Sequence, residues 1–266
     1  MSVFQGTIFS KALNKDTHLT VVLPQDSRPH VGINGKVVDG VTVSPCPKTL
    51  ILLHGATDID TTWVRRTSLE RYAELYDVAV IMPDAEMSSY ANMVYGPAYY
   101  DYVTEELPEL ASQMFKLSVD PEHLYIAGLS MGSMGTIKCF LNHPERYAAA
   151  GAFSGASTRR DDKKGLPANN IGIGDYVRKA VYGDPPVTPE SDDPYYLADH
   201  LTNDAPAKLY MCCGKQDFLY KAVTDFRDYV QSNPHIDLCY EEWDGTHEWA
   251  VWDVAIQRFF EKYMKN

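Results

Sequence analysis

The segment Gly128-Leu129-Ser130-Met131-Gly132 constrains this chain more than any other, because of what stands on either side of it. Before it runs the apolar stretch Leu124-Tyr125-Ile126-Ala127, and behind it comes a helix-compatible segment, Ser133 to Asn142. A strand that ends in a sharp turn at a serine and feeds directly into a helix is a nucleophile elbow. The flanking glycines have a steric reason: at so tight a turn, side chains two positions before and after the serine would meet the strand or the helix. The helix that follows directs its amide-rich N-terminus at the serine, which favours negative charge developing there.

The rest of the chain reads as the sheet into which such an elbow fits. Residues 2 to 9 and 18 to 23 alternate apolar and polar positions around a turn at Asn14-Lys15-Asp16, as in an antiparallel hairpin. The pattern then becomes continuous apolar runs at Thr49 to Leu53, Val78 to Met82, Leu124 to Ala127, Ala148 to Phe153, Leu209 to Cys213 and Leu238 to Trp243. Runs of this kind belong to strands covered on both faces. Alternating with helical segments, they predict a mostly parallel central sheet with helices on both sides. Phe218 to Val230 and Trp252 to Tyr263 each carry an apolar stripe at helical spacing. Residues 157 to 204 break the rhythm with Gly, Pro, Asn and Asp clusters around a short helical piece, Asp175 to Val181. This reads equally as a lid-like insertion and as a surface excursion.

The 266 residues carry no Gly/Ser-rich linker, low-complexity stretch or internal repeat, and with 45% hydrophobic residues they predict one domain over 1–266. A net charge of −12 argues against nucleic acid and anionic membranes as partners. The one dense basic cluster, Arg159-Arg160 with Lys163-Lys164, is interrupted by Asp161-Asp162 and reads as a solvated loop. Five cysteines, Cys46, Cys139, Cys212, Cys213 and Cys239, show no C-x-x-C spacing, which fits neither a disulfide framework nor a zinc site. With no leader pattern at Met1 to Gly6 and no membrane-length apolar window, a cytoplasmic protein with reduced thiols is expected.

A serine hydroxyl needs a base within hydrogen-bond reach and a carboxylate to orient that base. In the α/β-hydrolase arrangement the order is serine, acid, histidine, each after a strand. Asp217 follows the strand Leu209 to Cys213, and His247 follows the last strand within Asp244-Gly245-Thr246-His247. Asp184, Asp192 and Asp193 lie in the insertion and Asp244 is only three residues from the histidine, so ordinary solvated carboxylates are expected there. His54 ends the strand Leu50 to Leu53 within His54-Gly55-Ala56-Thr57, where this fold builds part of its oxyanion hole. The donors expected are the backbone amides of Ala56 and Met131, with the His54 ring structural.

With these residues placed, the chain resembles the tributyrin-esterase branch of the esterase D and S-formylglutathione hydrolase group. The matching segments are Leu52-Leu53-His54-Gly55, Trp63-Val64-Arg65-Arg66-Thr67-Ser68, Gly128-Leu129-Ser130-Met131-Gly132, Gly214-Lys215-Gln216-Asp217 and Gly245-Thr246-His247-Glu248-Trp249. They run in order from about residue 50 to the C-terminus. The resemblance implies an α/β-hydrolase fold and a small-acyl carboxylesterase with Ser130, Asp217 and His247 as its triad, using no metal or organic cofactor. One departure is Ser133, where relatives often have a second glycine, which should alter packing rather than chemistry.

For the substrate, a small-molecule ester is expected, with Trp63, Tyr95 and Trp249 as candidate contacts. Tyr90, Tyr95, Tyr99, Tyr100 and Tyr102 crowd the loop after Val78 to Met82. They read either as pocket lining or as tyrosines packing a loop with their hydroxyls in water. Three readings stand: an esterase for short acyl esters, including acetyl or hydroxycinnamoyl sugar esters; a thioesterase acting on S-formylglutathione; and a non-catalytic binding module on the same fold. An intact elbow with both partners at strand ends argues against the third. The sequence leaves open whether the chain forms a homo-oligomer.

Overall fold

Two helical layers enclose one continuous sheet. The computed structural model describes residues 1–26, 30–31, 37–38, 43–44, 47–156 and 175–265. The basic cluster at 159–164, Cys46 and the first part of the insertion lie outside these residues. The strands are β1 (Ser2–Ser10), β2 (Lys15–Leu23), β3 (His30–Val31), β4 (Val37–Val38), β5 (Lys48–Leu53), β6 (Val78–Pro83), β7 (Leu124–Leu129), β8 (Ala149–Phe153), β9 (Ala207–Gly214) and β10 (Ile236–Trp243). Strands β3 and β4 form a separate antiparallel pair, and the other eight form one sheet in the order β1-β2-β6-β5-β7-β8-β9-β10. Every neighbouring pair from β6 to β10 is parallel, while β2 pairs antiparallel with both β1 and β6.

The opening hairpin is tighter than the residue pattern predicts. Lys15 and Asp16 already pair with Ser10 and Phe9. The chain reverses within residues 11–14, where Asn14 takes φ +52°, a left-handed conformation that asparagine tolerates.

The helices are α1 (Thr62–Arg66), α2 (Leu69–Tyr76), α3 (Tyr99–Asp101), α4 (Leu107–Phe115), α5 (Met131–Asn142), α6 (Asp175–Tyr182), α7 (Pro194–Asp199), α8 (Tyr220–Val230) and α9 (Trp249–Tyr263). A π-helical turn, Tyr102–Glu106, joins α3 to α4. The period of two in the strands divides the core. Leu50, Leu52, Tyr125, Ala127 and Leu129 face α2 and α9, whereas Ile51, Leu53, Leu124 and Ile126 face α4, α5 and α8. Helix α5 is buried nearly all round, which explains why its sequence shows so little amphipathic contrast.

The described part of the insertion is fastened to the loop after β6 and to α5. The amides of Val94 and Tyr95 donate to the carbonyls of Val181 and Ala180 at 3.0 and 2.9 Å, so α6 is pinned to the loop after β6. Lys138 of α5 is buried and reaches Asp192 at 3.0 Å and the Ser89 carbonyl at 2.9 Å. Helix α7, not predicted from the sequence, is capped by Asp193, whose carboxylate accepts from the amides of Tyr195 and Tyr196.

Candidate active site

The elbow is set by close approach of backbone to backbone. A Cβ on Gly128 would lie 2.6 Å from the Gly132 carbonyl and 2.8 Å from Leu53 Cβ. One on Gly132 would lie 2.6 Å from the Leu53 carbonyl oxygen. No other residue fits either position without moving a strand. Ser130 is held between them at φ +53°, ψ −114°, a conformation that costs a non-glycine residue on the order of 1–3 kcal/mol. Its own amide donates to the Phe153 carbonyl at 2.9 Å, tying the strained residue to β8. Ser133, the departure from the family pattern, is buried, and its hydroxyl donates to the Gly155 carbonyl at 2.6 Å. The extra oxygen therefore fastens α5 to the segment leaving β8.

Three strand ends converge here. Ser130 follows β7, Asp217 follows β9 and His247 follows β10. The Ser130 hydroxyl lies 2.9 Å from His247 Nε2, and His247 Nδ1 lies 2.9 and 3.1 Å from the two oxygens of Asp217. With Nδ1–H donating to the carboxylate, Nε2 is left as an acceptor for the serine proton. The Asp217 side chain is fully buried and also accepts from the Leu219 amide at 2.8 Å. Beneath it, burial and then the charge of Asp217 push the Cys213 thiol well above its usual range, so it remains protonated beside the carboxylate. The imidazole is enclosed by rings: Phe218 lies 4.6 Å away and Trp252, edge-on, 4.9 Å.

His54 is structural in the way its position suggests. Its Nε2 accepts from the Ala85 amide at 2.9 Å, its Nδ1 faces the Gly55 carbonyl at 2.7 Å, and its own carbonyl accepts from the Tyr90 hydroxyl at 2.9 Å. These bonds fix the turn that carries Ala56. Among the described residues, neither the Ala56 nor the Met131 amide donates to another group, and both residues line the cleft with Ser130. Two unengaged N–H donors beside a nucleophile are what a tetrahedral oxyanion requires.

The cleft has a volume of about 390 Å³, and its apolar wall consists of Leu129, Met131, Met134, Leu219, Trp249 and Trp252. Trp249 thus lines the cleft beside Ser130 and His247. Trp63 does not: it is wholly buried beneath the cleft, its indole N–H donates to the Leu53 carbonyl at 3.0 Å, and it packs edge-on against Trp249 at 5.3 Å. Tyr95 stands on the protein surface, 68% exposed, at the seam with α6 and away from the cleft. Tyr90, Tyr99 and Tyr102 depart from both sequence readings, while Tyr100 is half-buried and lies away from the cleft. The first three are fully buried, and the Tyr102 hydroxyl has no hydrogen-bond partner among the described residues. None of residues 175–204 lines the cleft.

The rival acids lie elsewhere. Asp184 pairs with Lys179 on the surface, Asp192 with Lys138, Asp193 caps α7, and Asp244 is exposed. The sequence reading missed Trp252, because it shares the helical stripe of core residues such as Ile256. It also missed Asp58, which was legible only as a charge two residues beyond Ala56.

An elbow serine joined through histidine to a buried carboxylate, at the carboxyl edge of a mostly parallel eight-stranded sheet, defines a serine hydrolase of the α/β-hydrolase fold. Residues 10–262 match the model of the Esterase family, and the chain belongs to that family. It is 31% identical to an acetyl esterase of Caldicellulosiruptor saccharolyticus over 98% of this chain and 97% of that one. Its fold is similar to that of the fluorophosphonate-binding serine hydrolase FphF of Staphylococcus aureus, with a TM-score of 0.82 and 35% identity across 100% of this chain and 99% of that one. The S-formylglutathione hydrolase FrmB of the same organism gives a TM-score of 0.80 and 34% identity over 99% of each chain. The chain is a carboxylic ester hydrolase of the esterase D-like group.

Proposed function

We propose that the chain hydrolyses short-chain acyl esters through an acyl-enzyme on Ser130, with His247 as general base and acid and Asp217 as the residue that orients it. The observation that carries this reading is the unbroken relay from Asp217 through His247 to Ser130, with 2.9 Å at each link. Ser130 Oγ attacks the acyl carbon as its proton passes to His247 Nε2, and the carbonyl oxygen becomes an anion facing the Ala56 and Met131 amides. Collapse expels the alcohol, which takes the proton from Nε2. Water then attacks the acyl-enzyme with His247 again accepting a proton, and the carboxylic acid leaves as Ser130 regains its hydrogen.

The cleft supports a short acyl group. A volume of about 390 Å³ walled by two methionines, two leucines and two tryptophans suits a small apolar substituent. The acetyl esterase relative points the same way, toward acetyl esters. The S-formylglutathione hydrolase neighbour supports a second reading, a thioesterase differing mainly in its leaving group. The reading places the enzyme in the cytoplasm, and the four cysteines among the described residues, Cys139, Cys212, Cys213 and Cys239, which form no disulfide, are what supports it. No described helix is long and apolar enough to cross a membrane.

A panel of p-nitrophenyl acetate, butyrate and octanoate, acetylated and feruloylated sugars, and S-formylglutathione tests the assignment. The acetyl esters are expected to give the highest kcat/KM. A preference for S-formylglutathione by more than tenfold would replace the first reading with the second.

A further inference from the structure

A carboxylate stands in the cleft where the reaction as described has no use for one. The Asp58 amide donates to the Gly55 carbonyl at 3.2 Å, closing a tight turn in which Thr57 takes φ +67°. That value is an outlier for a β-branched residue, held only because the surrounding turn imposes it. The turn delivers the half-buried Asp58 to the wall of the cleft. The position a Cβ on Gly55 would take is filled by Leu129 Cδ1 at 2.5 Å, with Asp58 Oδ2 3.1 Å and Ser130 Cβ 3.6 Å from it, so acid and serine stand on either side of Leu129 in the wall of one cleft.

Asp58 works against the chemistry next to it. A negative charge beside two amides that await an oxyanion opposes the charge developing there. It is also costly to keep: burial raises its pKa, an effect only partly offset by His54, the Gly55 amide, Arg66 and Arg65. Both arginines are exposed, and among the described residues no side chain donates a hydrogen bond to the carboxylate. The other acid lining this cleft, Glu248, is exposed and already accepts from the hydroxyl and amide of Thr246. Asp58 thus accepts from the Gly55 backbone amide but from no side chain, a carboxylate has room for further donors, and a substrate in the cleft can supply one.

We propose that Asp58 is a specificity-determining residue. It selects esters whose alcohol presents a hydrogen-bond donor or a positive charge to this wall of the cleft, and it rejects those bearing a carboxylate. The proposal rests on the esterase reading above and narrows it. Hydroxyl-rich and cationic alcohols are favoured, whereas a leaving group with free carboxylates, such as glutathione, is disfavoured.

Two substrate pairs of matched shape test it: acetylcholine against 3,3-dimethylbutyl acetate, and acetoxyacetate against acetoxyacetamide. The readout is the ratio of kcat/KM within each pair, which cancels any general effect of a substitution on the oxyanion or the fold. In Asp58→Asn the acetylcholine ratio is expected to fall, and the acetoxyacetate ratio to rise, by about tenfold each. Glu248→Gln should move both by less than twofold. In the wild type the charge preference should fade as pH drops, beginning above the ordinary aspartate range near 3.9. Either ratio staying within twofold of wild type in Asp58→Asn, with turnover intact, overturns the proposal. Wild-type enzyme that turns over none of the four esters overturns the esterase reading and this proposal with it.

Discussion

Gln216 and Gly245 bind each other twice. The Gln216 amide donates to the Gly245 carbonyl at 3.0 Å, and the Gln216 side-chain oxygen accepts from the Gly245 amide at 2.7 Å. The two loops lie so close that a Cβ on Gly214 would sit 2.3 Å from the Gly245 carbonyl oxygen. One loop carries Asp217 and the other His247, so this pair sets the distance across which acid and base meet.

Gln216→Ala should therefore lower kcat without unfolding the protein, by about tenfold, since small misplacements of catalytic groups are expensive. Gln216→Glu keeps an acceptor for the Gly245 amide and should recover most of the activity. Steady-state kinetics on both variants check this, and equal losses would show that the side-chain bond does not position the loop.

Asp217→Asn keeps the size of the acid but removes the charge that stabilises the imidazolium. A loss of about 10²- to 10⁴-fold in kcat is expected, with little change in KM. Asp244→Asn and Asp184→Asn should stay near wild type, because one is exposed and the other is paired with Lys179 on the surface. If Asp244→Asn proved the most damaging in a folded protein, the acid would have to be reassigned.

That Ser130, Asp217 and His247 would meet was legible in the sequence, because chain order and strand ends select them. Ser130, Asp217 and His247 each follow an apolar run, and any sheet built from those runs brings them to one edge. The cleft wall was not legible, because an aromatic side chain looks alike in a core and in a pocket. Trp63 and Trp249 pack edge-on in the same layer, yet only Trp249 reaches the cleft, because Trp63 is wholly buried beneath it with its indole N–H held by the Leu53 carbonyl. Tyr95 and Tyr90 are five residues apart in one loop, and packing against α6 and His54 sends one to solvent and the other to the interior. Asp58 was hidden for a different reason: nothing local tells a cleft carboxylate from a solvated one.

Gly132→Ala should destabilise the fold by about 3 kcal/mol, the upper end for overpacking, because its methyl group would meet backbone atoms of Leu53 and His54 that cannot move aside. The denaturant midpoint measures this. A shift under a third of that size would mean that α5 can slide away from β5.

Buried thiols and phenols predict loss of stability in alkali. Burial pushes Cys139 up to about 12 and raises Cys212, Cys213, Tyr90 and Tyr147 well above their usual ranges. In the unfolded chain these groups titrate near 8.5 and 10. Above those values the unfolded state releases protons that the folded state retains, so stability falls as pH rises. Urea midpoints between pH 7 and 10 should decline across this window, and a flat profile would contradict the assigned burial. In the same range Cys139, Cys212 and Cys213 should resist iodoacetamide in the native protein while the half-buried Cys239 reacts.

The central claim is that Ser130 is the nucleophile, and the most direct measurement is peptide mapping of the native protein after reaction with a fluorophosphonate. One adduct per chain is predicted, on the peptide containing Ser130. An adduct on any other residue, or undiminished labelling of a folded Ser130→Ala variant, would contradict the account.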